Sequence, residues 1–167
     1  MTIRVGILTI SDRSYRGERE DLSGPALVSS VEEQGWTVSQ TGLLPDDRLR
    51  IAATLLEWCD SGQFDLILTT GGTGFSPRDI TPEATLDILE RQTPGIAEEM
   101  RRVSRQITPH AMLSRAVAGI RGKTIVINLP GSTKAAVECF QAVAGVLPHA
   151  VDLLTESPSA EAGHRPG

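Results

Sequence analysis

The sequence predicts an α/β domain: a three-layer α/β/α sandwich on a mostly parallel sheet, with one antiparallel edge hairpin strand. Three observations lead there. Apolar runs alternate with helix-period segments in the order β-α-β-α-β-α, the pattern of a sheet covered by helices on both faces. One run, FDLILTT (Phe64 to Thr70), is apolar enough to be central in a parallel sheet. Two further runs flank Arg121-Gly122-Lys123 and look like a hairpin.

Ile3 to Ile10 reads as a buried strand that Asp12-Arg13 breaks, followed by a polar loop with Glu18, Glu20 and Asp21. Ser23 is placed to cap a helix carrying Leu27, Val28 and Val31 and ending near Gly35. Trp36 to Leu44 is a second strand, closed by Pro45-Asp46-Asp47. A helix then sets Ile51, Leu55 and Cys59 at i, i+4, i+8, and Gly62 stops it. After the third strand, Thr81-Pro82-Glu83 reads as N-cap, N1 proline and first-turn acid. The next helix, from about Gly95, carries Ile96, Met100, Val103 and Ile107 on one face. Ala116 to Ile120 and Thr124 to Leu129 are the hairpin strands. A last helix aligns Ala136, Phe140, Val143 and Leu147, and Pro148 bends or restarts it through Leu154. Residues 1–156 make one domain, and the closing SPSAEAGHRPG, 157–167, lacks Ile, Leu, Val and Phe and reads as a disordered tail.

The chain has 167 residues, enough to bury roughly 70% of its unfolded surface without a disulfide or zinc staple. Its net charge of −5 argues against a nucleic-acid partner, although a small phosphorylated ligand needs only a local positive site. Cys59 and Cys139 lie in helical apolar patterns and read as buried thiols of a reducing compartment. Without a signal h-region or an 18-residue apolar run, the expected location is the cytoplasm, with no membrane contact. His110, His149 and His164 have no partner pattern, so a catalytic imidazole is not indicated.

The first three strands are each followed by a crossover helix, so their C-terminal ends share one rim, where open α/β sheets bind ligands. Those ends read Ser11-Asp12, Pro45-Asp46-Asp47 and Gly71-Gly72-Thr73-Gly74, and the last strand ends Asn128-Leu129-Pro130-Gly131-Ser132. The glycines at 71, 72 and 74 let backbone N–H groups approach an anion, or else make a tight strand-to-helix turn. Arg78-Asp79 is a solvated pair, or a phosphate-neutralising cation beside a carboxylate for a hard metal ion. Asp46 is a second such carboxylate or a turn former, and Asp12 has the same two readings. Glu98 and Glu99 pair with Arg101, Arg102 and Arg105 on a solvated face, or one turns toward the crevice. Ser114-Arg115 binds a phosphate or leads into the hairpin.

Three stretches carry a specific resemblance: LTTGGTGFSPRDITPEAT (Leu68 to Thr85), MLSRAVAGIRGKTIVINLPGS (Met112 to Ser132) and ECFQAVAGVLPHAVDLL (Glu138 to Leu154). With ISDRS, EDLSG and LLPDD before them, they resemble the MogA/MoaB molybdenum cofactor biosynthesis family, including the amino-terminal domain of gephyrin. The resemblance implies a molybdopterin adenylyltransferase that joins AMP from ATP to molybdopterin with Mg²⁺, ahead of a molybdate-inserting enzyme, and a homotrimer. A non-catalytic molybdopterin-binding protein of the MoaB type is the alternative it leaves. It implies Asp46 and Asp79 as the essential, metal-holding carboxylates. Ser11, Asp12, Gly71, Gly72, Thr73, Gly74, Arg78, Glu98, Ser114, Arg115, Pro130, Gly131 and Ser132 would bind nucleotide or molybdopterin. Asp47 stands where several members carry Glu.

Overall fold

Within residues 2–160, which the computed structural model describes, the chain opens on β1 (Arg4–Ile10). Val5 and Ile7 point into one apolar cluster and Leu8 and Ile10 into another, so the strand is covered on both faces. Its C-terminal end turns at once into α1 (Asp12–Tyr15), a single turn where the sequence predicts a polar loop. Ser11 makes that turn possible, since its Oγ accepts from the Ser14 amide at 3.1 Å.

α2 (Ser23–Glu33) follows. Ser23 is not its cap; Leu22 holds the N-cap position, and the carboxylate of Asp21 just before it accepts from the Gly24 amide at 3.0 Å, a charged acceptor being the stronger one at a helix start. β2 (Thr37–Leu44) and α3 (Arg48–Asp60) follow as expected, with Asp47 capping α3 through the Arg50 amide at 3.1 Å. β3 (Leu66–Thr70) is buried throughout. α4 (Thr81–Ile88) begins one residue earlier than the cap reading requires. Thr81 is therefore inside the first turn, fully buried, and its hydroxyl has no hydrogen-bond partner.

A two-residue strand, β4 (Arg91–Gln92), precedes α5 (Pro94–Arg105). Ile107 lies beyond the end of α5 and is exposed, because the chain leaves the helix for a 3₁₀ segment, Pro109–Leu113. β5 (Ala118–Arg121), β6 (Thr124–Leu129), α6 (Thr133–Ala144) and α7 (Leu147–Leu154) complete the order, with the helix restarting near Pro148. Of the segment read as a tail, residues 161–167 lie outside the described residues. Residues 158–160 form a 3₁₀ turn, and Ser159 Oγ donates to Asp152 Oδ2 at 2.9 Å.

The sheet runs β2-β1-β3-β6-β5-β4. β1, β2, β3 and β6 are parallel, and β5 turns back antiparallel to β6 as the hairpin predicts. β5 is not outermost, because β4 adds outside it, antiparallel again. One cluster unites the sheet with α2, α5, α6 and α7 and the other unites it with α3 and α4, giving the three layers. A buried amide fastens the second pair of layers: Asn128 Nδ2 donates to Thr69 Oγ1 (3.0 Å) on β3 and Thr85 Oγ1 (2.9 Å) on α4. Both cysteines are free and buried, and burial pushes the Cys59 thiol up to about 12. No single helix among the described residues is long and apolar enough to cross a membrane.

Arg4 and Asp65 clasp the far end of the sheet. Asp65 accepts from the Arg4 amide (2.8 Å), Nε (3.1 Å) and Nη2 (2.8 Å). Burial alone would raise the Asp65 carboxyl, but the Arg4 bonds outweigh it and hold it below the ordinary range. A lowered carboxyl stabilises the fold above its unfolded value of about 3.9 and loses that contribution as pH falls through the folded value. Asp65→Asn is therefore expected to cost about 1–3 kcal/mol in urea unfolding at pH 7. The gap from wild type should shrink as the pH is taken below about 4; an unchanged gap would remove the carboxylate's role.

Candidate active site

The four parallel strands end on one rim. Ser11 N donates to Leu44 O (2.9 Å), Gly71 N donates to Leu129 O (3.1 Å) and Thr70 Oγ1 donates to Pro130 O (2.7 Å). These bonds carry the sheet spacing past the last ladder pair, so the turns leave side by side. Between them lies a polar cleft of about 530 Å³. Of the residues anticipated from sequence, Ser11, Asp12, Asp46, Gly71, Gly72, Arg78, Asp79, Gly131 and Ser132 all line it.

Asp12 and Asp46 are bound reciprocally. The Asp12 amide donates to Asp46 Oδ2 and the Asp46 amide to Asp12 Oδ1, each at 3.0 Å. Arg78 completes the arrangement with a two-toothed contact to Asp12, Nε to Oδ2 at 2.9 Å and Nη2 to Oδ1 at 3.0 Å. The Arg78 guanidinium holds the Asp12 carboxyl below its ordinary range. Asp46 goes the other way: burial pushes it up, and the nearby charges of Asp12 and Asp79 add to that. Asp79 is fixed by its own turn, its Oδ2 accepting from the Ser76 amide at 3.0 Å while its amide donates to Ser76 O at 2.9 Å.

The glycine loop fits among these groups because it has no side chains to displace them. Gly71 has φ 103°, and a Cβ there would collide with the Ile10 carbonyl oxygen. Gly72 has φ 68°, and a Cβ there would press on Thr81 Oγ1 and stand 3.0 Å from Asp46 Oδ1. The unpartnered Thr81 hydroxyl and Asp46 Oδ1 thus both crowd the space a Gly72 side chain would need. Opposite the loop, Ser132 is the N-cap of α6 and brings that helix's N-terminus to the cleft wall. The positive end of a helix dipole favours an anion there.

The donor set suits magnesium. It takes hard oxygen ligands, and one or two carboxylates plus substrate phosphates suffice. Among the described residues no three His, Cys, Asp or Glu side chains form a metal cage by themselves. Asp46 and Asp79, both on the cleft wall, are the two carboxylates that could hold such an ion together with phosphate.

The remaining anticipated residues go elsewhere. Thr73, Gly74, Ser114 and Pro130 line an adjoining apolar cavity of about 270 Å³ between α5, the 3₁₀ segment and α6. Arg115 turns to the loop, donating to Gly74 O and Asp79 O, each at 2.7 Å, and pairing with Glu83. Glu98 is not brought to the cleft; it is exposed on α5 beside Arg101, Arg102 and Arg105, while Glu99 pairs with Arg102 at 2.8 Å. The cleft also has walls the sequence reading does not assign: Arg13, Ser14, Arg19, Glu20, Asp21 and Ser76. Their signal is positional, since residues 11–22 follow a parallel strand at its C-terminal end.

Known proteins share this fold. The family described as "Probable molybdopterin binding domain" matches residues 6–149. Molybdopterin adenylyltransferase of Helicobacter pylori (strain J99) is 44% identical over 155 residues, 92% of this chain and 88% of that protein. The molybdenum cofactor synthesis protein cinnamon of Drosophila melanogaster is 43% identical over 159 residues, 95% of this chain but 26% of that protein. The chain thus spans about a quarter of that longer relative. The crystal structure of the molybdopterin biosynthesis enzyme MoaB from Thermus thermophilus superposes with a TM-score of 0.88 at 50% identity, covering 94% of this chain and 99% of the other.

Gly71 and Gly35 both hold positive φ, but a Cβ at Gly35 meets nothing within 4 Å. Gly35→Ala should cost about 1 kcal/mol in chemical unfolding, from backbone strain alone. Gly71→Ala adds a clash with backbone that cannot swing aside, so its cost should exceed about 2 kcal/mol. Equal losses would mean that the loop is not held against β1.

Proposed function

The chain belongs to the molybdopterin-binding family of molybdenum cofactor biosynthesis, and from that premise we propose that the rim cleft transfers AMP from ATP to molybdopterin. That activity is the one the relatives named molybdopterin adenylyltransferase carry in their names. The observation that carries the reading is the meeting of Asp46 and Asp79 with the Gly71–Gly72 backbone in one cleft.

A terminal phosphate oxygen of molybdopterin attacks the α-phosphorus of ATP and forms a new P–O bond. The bond from that phosphorus to the bridging oxygen of the β-phosphate breaks, and pyrophosphate leaves with the electron pair. The attacking phosphate is already anionic near neutral pH, so no side chain must take a proton. Alignment and neutralisation of charge are what such transfers require. Magnesium, when bound, would neutralise phosphate charge and polarise the α-phosphoryl group. Asp46 and Asp79 would hold it. The N-terminus of α6 receives phosphate oxygens, and Arg78 offers a cation at the cleft mouth. The apolar cavity sharing the Thr73–Gly74 wall suits the fused rings of the acceptor.

The family resemblance further supports a closed homotrimer in the cytoplasm that hands its product to a molybdate-inserting enzyme. Sedimentation should then give about three times the chain mass of 17.9 kDa; a monomer would contradict the trimer. Asp79→Asn should leave the fold intact and lower pyrophosphate release from ATP and molybdopterin by about 10² to 10³, the scale for one lost electrostatic element. Near wild-type turnover would remove Asp79 from the chemistry. Absence of pyrophosphate with the unaltered chain would favour the non-catalytic binding reading.

A further inference from the structure

Arg115 lies between the 3₁₀ segment and β5, outside every strand and helix. Its backbone amide donates to Thr73 O at 2.8 Å. Its Nε donates to Gly74 O and its Nη2 to Asp79 O, each at 2.7 Å. Its Nη1 pairs with Glu83 on α4. One residue therefore grips the loop on both sides of the Phe75–Arg78 excursion and ties it to the following helix. The guanidinium is two-thirds withdrawn from solvent, at 33% side-chain exposure, where such bonds resist competition from water. Its planar fork is what lets one side chain meet three acceptors in fixed directions.

We propose that Arg115 is a positioning residue for adenylyl transfer, acting through Asp79 rather than on a phosphate. The assignment rests on the adenylyltransferase reading above. Two carbonyls flank the excursion that ends in Asp79, and fixing both fixes where that carboxylate stands relative to Asp46. The same contacts direct the guanidinium toward protein carbonyls and Glu83.

The test is a double-mutant cycle with Asp79→Asn. Arg115→Met is expected to lower kcat for pyrophosphate release by about 10², the scale for a small misplacement of reacting groups. Added to Asp79→Asn it should cost less than about threefold more, because both changes remove one function. Multiplying losses would overturn the proposal. Arg115→Lys keeps the charge but not the fork, so it should lose as much as Arg115→Met. Recovery by Lys would instead mark a phosphate contact and overturn the proposal. Amide hydrogen exchange, read without substrate, should quicken over residues 71–79 in Arg115→Met and stay unchanged in β1 and β6. Exchange equal to wild type in that loop would also overturn it. If the unaltered chain releases no pyrophosphate, the adenylyltransferase reading fails, and exchange alone decides whether Arg115 braces the loop.

Discussion

Two carboxylates bound by each other's backbone form the constraint on which the rim depends. Asp12 and Asp46 each accept the other's amide at 3.0 Å, so the first two parallel strands cannot separate without breaking both bonds. Like charges placed that close repel, and the exchange of amide hydrogen bonds offsets the repulsion. The Arg78 fork removes more of it from Asp12. Asp46 accepts no bond from that fork, and burial raises its carboxyl. The structure therefore keeps one acid well compensated and one poorly compensated, side by side. A divalent ion bound with phosphate would relieve the second.

The glycine loop is the complement of that pair. It must pass between the Ile10 carbonyl, the Thr81 hydroxyl and Asp46, and no side chain fits there. Absence of a Cβ lets the Gly71–Gly72 backbone itself line the cleft, with the Gly71 amide held by Leu129 O at 3.1 Å. The far side of the same loop faces the apolar cavity. One turn of chain thus separates a polar compartment from an apolar one, as an acceptor with a phosphate at one end and a ring system at the other requires.

The parts of this architecture legible in the sequence are those with a local cause. FDLILTT announces a buried strand by its composition, and Ile51, Leu55 and Cys59 announce a helix by their spacing. The convergence of Asp46, Gly71, Asp79 and Ser132 is also legible, because parallel strands joined by crossovers put their ends on one rim whatever the details. The caps expected at Ser23 and Thr81 fail for different reasons. At α4 no side chain caps the helix, and Thr81 lies inside the first turn with its amide donating to Gly72 O at 3.1 Å. At α2 the better acceptor is Asp21, already fixed by the Thr9 hydroxyl at 2.8 Å. β4 carries no strand signal in two residues and exists only because β5 offers an open edge.

By itself the sequence determined the order and kind of the main elements, the three layers, and the four strand ends that make a ligand rim, since periodicity and crossover handedness are local and general rules. Only the tertiary structure decided the work of individual side chains. It set Asp12 against Asp46, sent Arg115 to the loop, left Glu98 on an exposed helix face, and divided the site into two compartments. Those outcomes depend on distances between residues dozens of positions apart, and such distances are fixed when the layers pack.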